Sequence, residues 1–293
     1  MENNIRIFIF GDSFASNLFQ EYYEKLGQHH IHPHPLQQYL LDLREEGIDD
    51  ALWFSDWLTK WGYEVHNFGQ GGSDNLTILE QFSKLDSTFR KGDRIIVWLS
   101  SFSRYQWINE IGERWSINAG SNQYGYEGEN RIKSDLILKQ CINRENSFKN
   151  GYLSRVTFPF YEYFFNLHSK YNPIIVSFCS ETNHKFKKNR YFFTFENSNS
   201  TELIKFNNSF KKNILKETNG QIVDGHYDRK TNHSYAIIFD EIIKNKVEID
   251  YSQNLELLQK IKKRIESDNT LFRRPKKWDN SNHEPKKIPT NLI

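Results

Sequence analysis

Ser13, Asp224 and His226 are the residue types that nucleophilic acyl transfer requires, and each lies just beyond an apolar run. An unactivated serine hydroxyl is a poor nucleophile. It needs an imidazole within hydrogen-bond reach to take its proton and a carboxylate to orient that imidazole. Ser13 closes Ile5-Arg6-Ile7-Phe8-Ile9-Phe10-Gly11-Asp12-Ser13, a run of strand length ending on glycine. Asp224-Gly225-His226 follows a short run at 221–223 and precedes a long amphipathic stretch. The tetrahedral intermediate of such a reaction also needs hydrogen-bond donors aimed at its oxyanion. The backbone N–H groups of Ser13 and of Gly72 are candidates, the second within Gly69-Gln70-Gly71-Gly72-Ser73-Asp74-Asn75, where glycine permits close backbone approach. Asp12, Asn75 and Trp107 are candidate substrate contacts.

Positioning these groups requires strands that end together. Apolar, β-branched runs predict strands at 5–10, 63–68, 93–100 and 173–179, with a short one at 221–223. Helical periodicity predicts helices at 14–26, 36–44, 49–61 (closed by Gly62), 76–85, 152–171, 203–218, 234–245 and 255–265, with Pro159 marking a kink or a restart. Strands alternating with helices predict an α/β fold with a mostly parallel sheet and helices on both faces. In open sheets of that kind ligands bind beyond the carboxyl ends of the strands. Three of those ends carry Gly-Asp-Ser, the glycine-rich turn and Asp-Gly-His. Residues 103–170 read as a cap insertion of helix and loop, and 185–201 as a further loop. The division expected is a hydrolase-like domain over 1–250, with the cap inside it, and a charged helix and basic, loose tail over 251–293.

Composition narrows the function classes. Lys+Arg 39 against Asp+Glu 37 leaves a net charge of +2, too balanced to select nucleic acid or an anionic membrane. Mean hydropathy is low, at -0.75, yet 23 Phe, 15 Tyr and 7 Trp supply large buried areas for a core. Cys141 and Cys179 are too few for a disulfide framework and lack metal-ligand spacing. No apolar run reaches membrane-spanning length and the amino terminus has no secretory apolar region, so the expected location is cytoplasmic, or outside by a signal-independent route. His29, His30, His32 and His34 match no recognised metal site; the prolines among them read as a stiff, solvated loop. No metal or organic cofactor is expected.

Phe10-Gly11-Asp12-Ser13 resembles the first block of the SGNH/GDSL hydrolases, and Asn67-Phe68-Gly69-Gln70-Gly71-Gly72-Ser73-Asp74 resembles their glycine block. Asp224-Gly225-His226, with Asn232-His233 and a closing helix after it, is similar to their last block. The resemblance implies a three-layer α/β/α fold with a flavodoxin-like sheet. It implies Ser13 as nucleophile, Gly72 as an oxyanion donor, His226 as base and Asp224 as its orienting acid. Two positions depart from the family pattern. Its third block ends a strand on Gly-x-Asn, the asparagine being an oxyanion donor, whereas this chain runs Ser100-Ser101-Phe102-Ser103-Arg104; Ser101 or Arg104 is the stand-in. Its last block commonly spaces acid and base as Asp-x-x-His, whereas here the spacing is Asp-x-His, with Asp228 as the fallback acid.

Each feature also has a plainer explanation. Ser13 alone would be an ordinary N-cap after a strand. Gly69 to Gly72 lacks the register and lysine of a nucleotide loop. Asp74 and Asn75 suit the start of a helix, His233 suits packing, and Trp107, Trp115, Tyr124 and Tyr126 suit either cap packing or stacking on a sugar. The ordered arrival of the three blocks favours an esterase acting on small acyl esters, such as O-acetyl groups on carbohydrate. An O-acyltransferase using the same site, and a carbohydrate-binding or structural module with a weakened one, are the alternatives. The partner expected is a small-molecule or glycan ester, with no nucleic acid and no membrane.

Overall fold

The computed structural model describes residues 5–12, 14–16, 35–48, 53–71, 73–100, 104–108, 114–118, 158–171, 173–177, 192–194, 227–245 and 255–278. Its strands are β1 (Arg6–Gly11), β2 (Glu64–Asn67), β3 (Arg94–Leu99), β4 (Arg104–Ile108), β5 (Arg114–Asn118), β6 (Ile174–Ser177) and β7 (Phe192–Thr194). Its α-helices are α1 (Pro35–Glu45), α2 (Phe54–Lys60), α3 (Asn75–Leu85), α4 (Phe158–Leu167), α5 (Arg229–Lys244) and α6 (Leu255–Glu266). The protein is α/β. Five strands form a parallel sheet in the order β2-β1-β3-β6-β7, and β4 and β5 form a separate antiparallel pair.

Alternation along the strands divides the core in two. Ile7, Ile9, Ile96, Trp98, Ile174 and Val176 pack on one face with side chains of α2, α5 and α6. Phe8, Phe10, Ile95, Val97, Leu99 and Ile175 pack on the other with α3 and α4. Burial on both faces is why the strands read as unbroken apolar runs rather than as alternating ones. At their amino ends β1 and β3 are joined by Arg6, which reaches Asp93 Oδ1 at 3.0 Å and Oδ2 at 2.6 Å in a two-pronged pair.

Several elements differ from the sequence expectation. The span 185–201, read as a loop, contains β7, three residues too short and too polar in their flanks to stand out by pattern. The insertion at 103–170, read as helix and loop, contains the β4–β5 pair, with Trp107 opposite Trp115. Helix α2 starts later than periodicity suggests, because the Asp56 carboxylate accepts the Trp53 N–H at 2.9 Å and fixes the first turn there. Helix α4 is described over Phe158–Leu167, within the expected helix 152–171, whose residues 152–157 lie outside the described residues. Helix α5 starts five residues earlier than read, at Arg229, after Asp228 accepts the Thr231 N–H at 2.7 Å. The expected helix 203–218 and strand 221–223 lie outside the described residues, as does the helix 14–26 beyond Ser16.

The division at 250 coincides with no break in packing. Leu257, Leu258 and Ile261 of α6 belong to the same cluster as Ile7 and Phe239. Residues after α6, read as the start of a loose tail, run back over the domain. Trp278 is buried against α1, its indole edge-on to Tyr39 at 5.4 Å and donating to Asp42, while Glu46 accepts the Lys276 N–H at 2.8 Å. Residues 279–293 lie outside the described residues. Among the described residues no helix is long and apolar enough to cross a membrane.

Candidate active site

Ser13, Gly72, Ser101, Asp224 and His226 lie outside the described residues, and of Arg104 and Trp107 only their places on β4 are described. Residues beside Ser13, Gly72, Ser101 and His226 are described, and the turn after β1, the glycine-rich segment and the end of β3 meet at the carboxyl edge of the sheet. The turn after β1 is built around Asp12, which is buried; its carbonyl accepts the N–H groups of Ala15 at 3.0 Å and Ser16 at 2.9 Å. The Asp12 carboxylate accepts the Phe14 N–H at 3.1 Å, so the backbone on both sides of Ser13 is fixed by the residue before it.

The glycine-rich segment is pressed onto that turn. Asn67, the last residue of β2, donates from its amide to the Ala15 carbonyl at 2.8 Å and accepts the Gly69 N–H at 2.8 Å. Gln70 donates its N–H to the Gly11 carbonyl at 3.0 Å. A Cβ on Gly69 would stand 2.6 Å from the Ser16 nitrogen, and one on Gly11 would stand 2.5 Å from the Ala15 Cβ and 2.8 Å from the Trp98 Cβ. Both glycines are there because the backbone passes too close for any side chain.

The start of α3 and the end of β3 are tied by Asn75. Its carbonyl accepts the Ser100 N–H at 2.7 Å and its amide donates to the Ser100 carbonyl at 3.1 Å, both in the interior. Asn75 also hydrogen-bonds the phenol of Tyr161 on α4. Burial, and after it the charge of Asp74, push that phenol up, with the Asn75 bond working against them. Asp74 caps α3, accepting the Thr77 N–H at 3.0 Å. Asn75, expected as a substrate contact, thus has both ends of its side chain engaged within the protein.

The last block approaches from the α5 side. Phe14, directly after Ser13, and Tyr227, directly after His226, meet ring to ring at 5.1 Å. Tyr227 is itself buried against Tyr235 at 5.0 Å. Asp228, the fallback acid, serves as the N-cap of α5. His233 lies one turn further along, enclosed by Trp57 at 4.2 Å, Trp61 at 5.6 Å and Phe272 at 5.8 Å, with Asp268 Oδ2 2.9 Å from Nδ1. Burial pushes its imidazole below the usual histidine value, and Asp268 opposes this. His233 is a packed side chain in an aromatic box.

Among the described residues no group of three or more His, Cys, Asp or Glu side chains can hold a metal ion; His29 to His34 lie outside them. No family model matches the chain, and neither a curated protein nor a solved structure does. Sequence reasoning assigned no role to Asn67, Ser100 or the Phe14–Tyr227 contact. Asn67 carried a usable signal, a short amide side chain closing a strand just before glycine.

Proposed function

We propose that the protein is a serine esterase of the SGNH type that hydrolyses small acyl esters. In this reading Ser13 attacks the ester carbonyl, His226 takes the serine proton and returns it to the leaving alcohol, and Asp224 orients His226. Water, activated by the same imidazole, then releases the acyl group. The Ser13 and Gly72 N–H groups receive the oxyanion. The sheet supports the fold half of the reading: with the β4–β5 pair set aside, its order is the 2-1-3-4-5 of flavodoxin-like, doubly wound α/β proteins.

The observation that carries the function is the Phe14–Tyr227 ring contact at 5.1 Å. Consecutive Cα atoms are about 3.8 Å apart, so this contact ties together the two chain segments, some 200 residues apart in sequence, that bear the nucleophile and the base. The Asn67 and Gly69 contacts bring the glycine block to the same turn, which is the third part an acyl-transfer site needs.

A fluorophosphonate probe and p-nitrophenyl acetate test the reading. The wild-type protein should form an adduct at Ser13 and turn over the ester. Ser13→Ala should lose the adduct, and both Ser13→Ala and His226→Ala should lower kcat by at least about 1000-fold. A wild-type protein with neither adduct nor turnover refutes the assignment.

A further inference from the structure

The chain lacks an asparagine where a third oxyanion donor would be expected, and Ser100 at the end of β3 has an unusual combination of properties. Its hydroxyl is buried, with the residue 1% exposed, and has no hydrogen-bond partner among the described residues. Its backbone is the opposite case: both its N–H and its carbonyl are held by the single side chain of Asn75. Unpaired buried hydroxyls are costly and few in folded proteins, so one that is kept calls for a reason. The backbone of Ser100 is fixed by two bonds while its one remaining donor is left unspent.

Its location supplies the reason. The strand order reverses between β1 and β3, since β1 connects onward to β2 on one side while β3 and then β6 lie on the other. That reversal opens the crevice in which doubly wound sheets bind ligands. The last register pair of β1 and β3 is Gly11 with Trp98, and a Cβ on Gly11 would stand only 2.8 Å from the Trp98 Cβ, so the two strand ends are in close contact there. Two residues on from that pair, in sequence, are Ser13 on one segment and Ser100 on the other. The two-residue period of a strand gives Ser100 the face of Trp98, the face on which α5 packs.

We propose that Ser100 Oγ donates a hydrogen bond to the oxyanion, the part assigned from sequence to Ser101 or Arg104, and that Asn75 is its positioning residue. The inference rests on the esterase reading. As Ser13 Oγ bonds to the carbonyl carbon, the carbonyl oxygen takes the negative charge and the serine proton passes to His226. Ser100 keeps its own proton and donates a hydrogen bond to that oxygen. When the intermediate collapses, the carbon–oxygen bond to the alcohol breaks and His226 returns the proton to the alcohol.

The test uses the full chain as wild type, Ser100→Ala and Ser100→Cys, the last keeping the volume with a weaker donor. Three quantities are measured: the rate of fluorophosphonate attachment at Ser13, kcat and KM for p-nitrophenyl acetate, and the thermal midpoint. Ser100→Ala should lower kcat and the attachment rate by about 100-fold, the usual loss for one oxyanion donor, with KM nearly unchanged. Its midpoint should not fall, because the deleted hydroxyl has no partner to lose. Ser100→Cys should fall between wild type and alanine, and stands in for Ser100→Ala if that variant does not fold. Wild-type rates in both variants, with Ser13 still labelled, overturn the role of Ser100 and leave the esterase standing. A rate loss that only tracks a lowered midpoint overturns it too. Absence of any adduct at Ser13 in the wild type overturns the esterase reading, and this inference with it.

Discussion

The two faces of the sheet are held by different physics. On the α3–α4 face, phenylalanines pack on one another: Phe10 on Phe82 at 5.4 Å, Phe82 on Phe89 at 5.4 Å and on Phe164 at 5.5 Å. On the α5–α6 face, apolar packing is joined by a buried ion cluster. Asp240 is fully buried and accepts from Tyr63 at 2.6 Å, from Lys244 at 2.8 Å and from Arg264. Glu241 accepts from Arg264 at 2.7 Å and pairs with Lys260 at 3.0 Å. Aromatic packing supplies stability with little directional demand, whereas a bonded cluster fixes the angle and height of a helix. The helix so fixed is α5, directly downstream of Asp224 and His226. In the proposed esterase, the face next to the acid and the base is the face with directional bonds.

The comparison is broken most forcefully from the aromatic side. Phe82 touches Phe10, Phe89, Phe164 and His168, and Phe82→Ala should cost about 3–5 kcal/mol of unfolding free energy by urea titration. The protein that remains folded should still label at Ser13 at close to the wild-type rate. Arg264→Ala should cost less, about 2 kcal/mol, because Lys244 and Tyr63 still reach Asp240. Its attachment rate at Ser13 should nevertheless drop by about tenfold, since small displacements of catalytic groups are costly. If the more stable variant is also the more active one, the division of labour between the faces is wrong.

That division was only partly legible beforehand. The parallel strands were plain, because burial on both faces writes them as continuous apolar runs such as Ile95-Ile96-Val97-Trp98-Leu99. The close approach at Gly69 was legible as a need for glycine. The polar ties of the site were not. Asn67 bonds a carbonyl 52 positions away and Asn75 brackets a residue 25 positions away, and neither leaves a period to read. The same holds for Asp240, which looks in sequence like one more charge on an amphipathic helix and proves to be its most buried carboxylate. The packed segment at 268–278 was hidden by its composition, since a stretch rich in Arg, Lys and Pro reads as solvated although the rings of Phe272 and Trp278 pack on the domain.

Among the described residues each face also encloses one buried histidine, which gives the finest test of the contrast. His168 packs on Phe82 at 4.8 Å and Phe164 at 4.5 Å, and His233 packs in its tryptophan box on the opposite face. Burial pushes both imidazoles below their ordinary value; Asp86 opposes this at His168, as Asp268 does at His233. A histidine held below its unfolded value binds fewer protons folded than unfolded as pH falls past about 6.5, so stability is full above that pH and declines below it. The ion cluster acts in a different window. Burial alone would push Asp240 up, but bonds from Lys244, Tyr63 and Arg264 hold it below the usual carboxylate value, so its contribution is lost only below about pH 4. Between pH 7.5 and 5.5, therefore, unfolding free energy should fall because of the histidines and not the cluster. His168→Phe and His233→Phe should each flatten that slope, while Arg264→Ala should shift the curve downward and, because the Arg264 charge helps to depress the His233 imidazole, flatten the slope less than His233→Phe does. A slope that survives both histidine replacements would mean that groups other than these two carry the acid sensitivity of both faces.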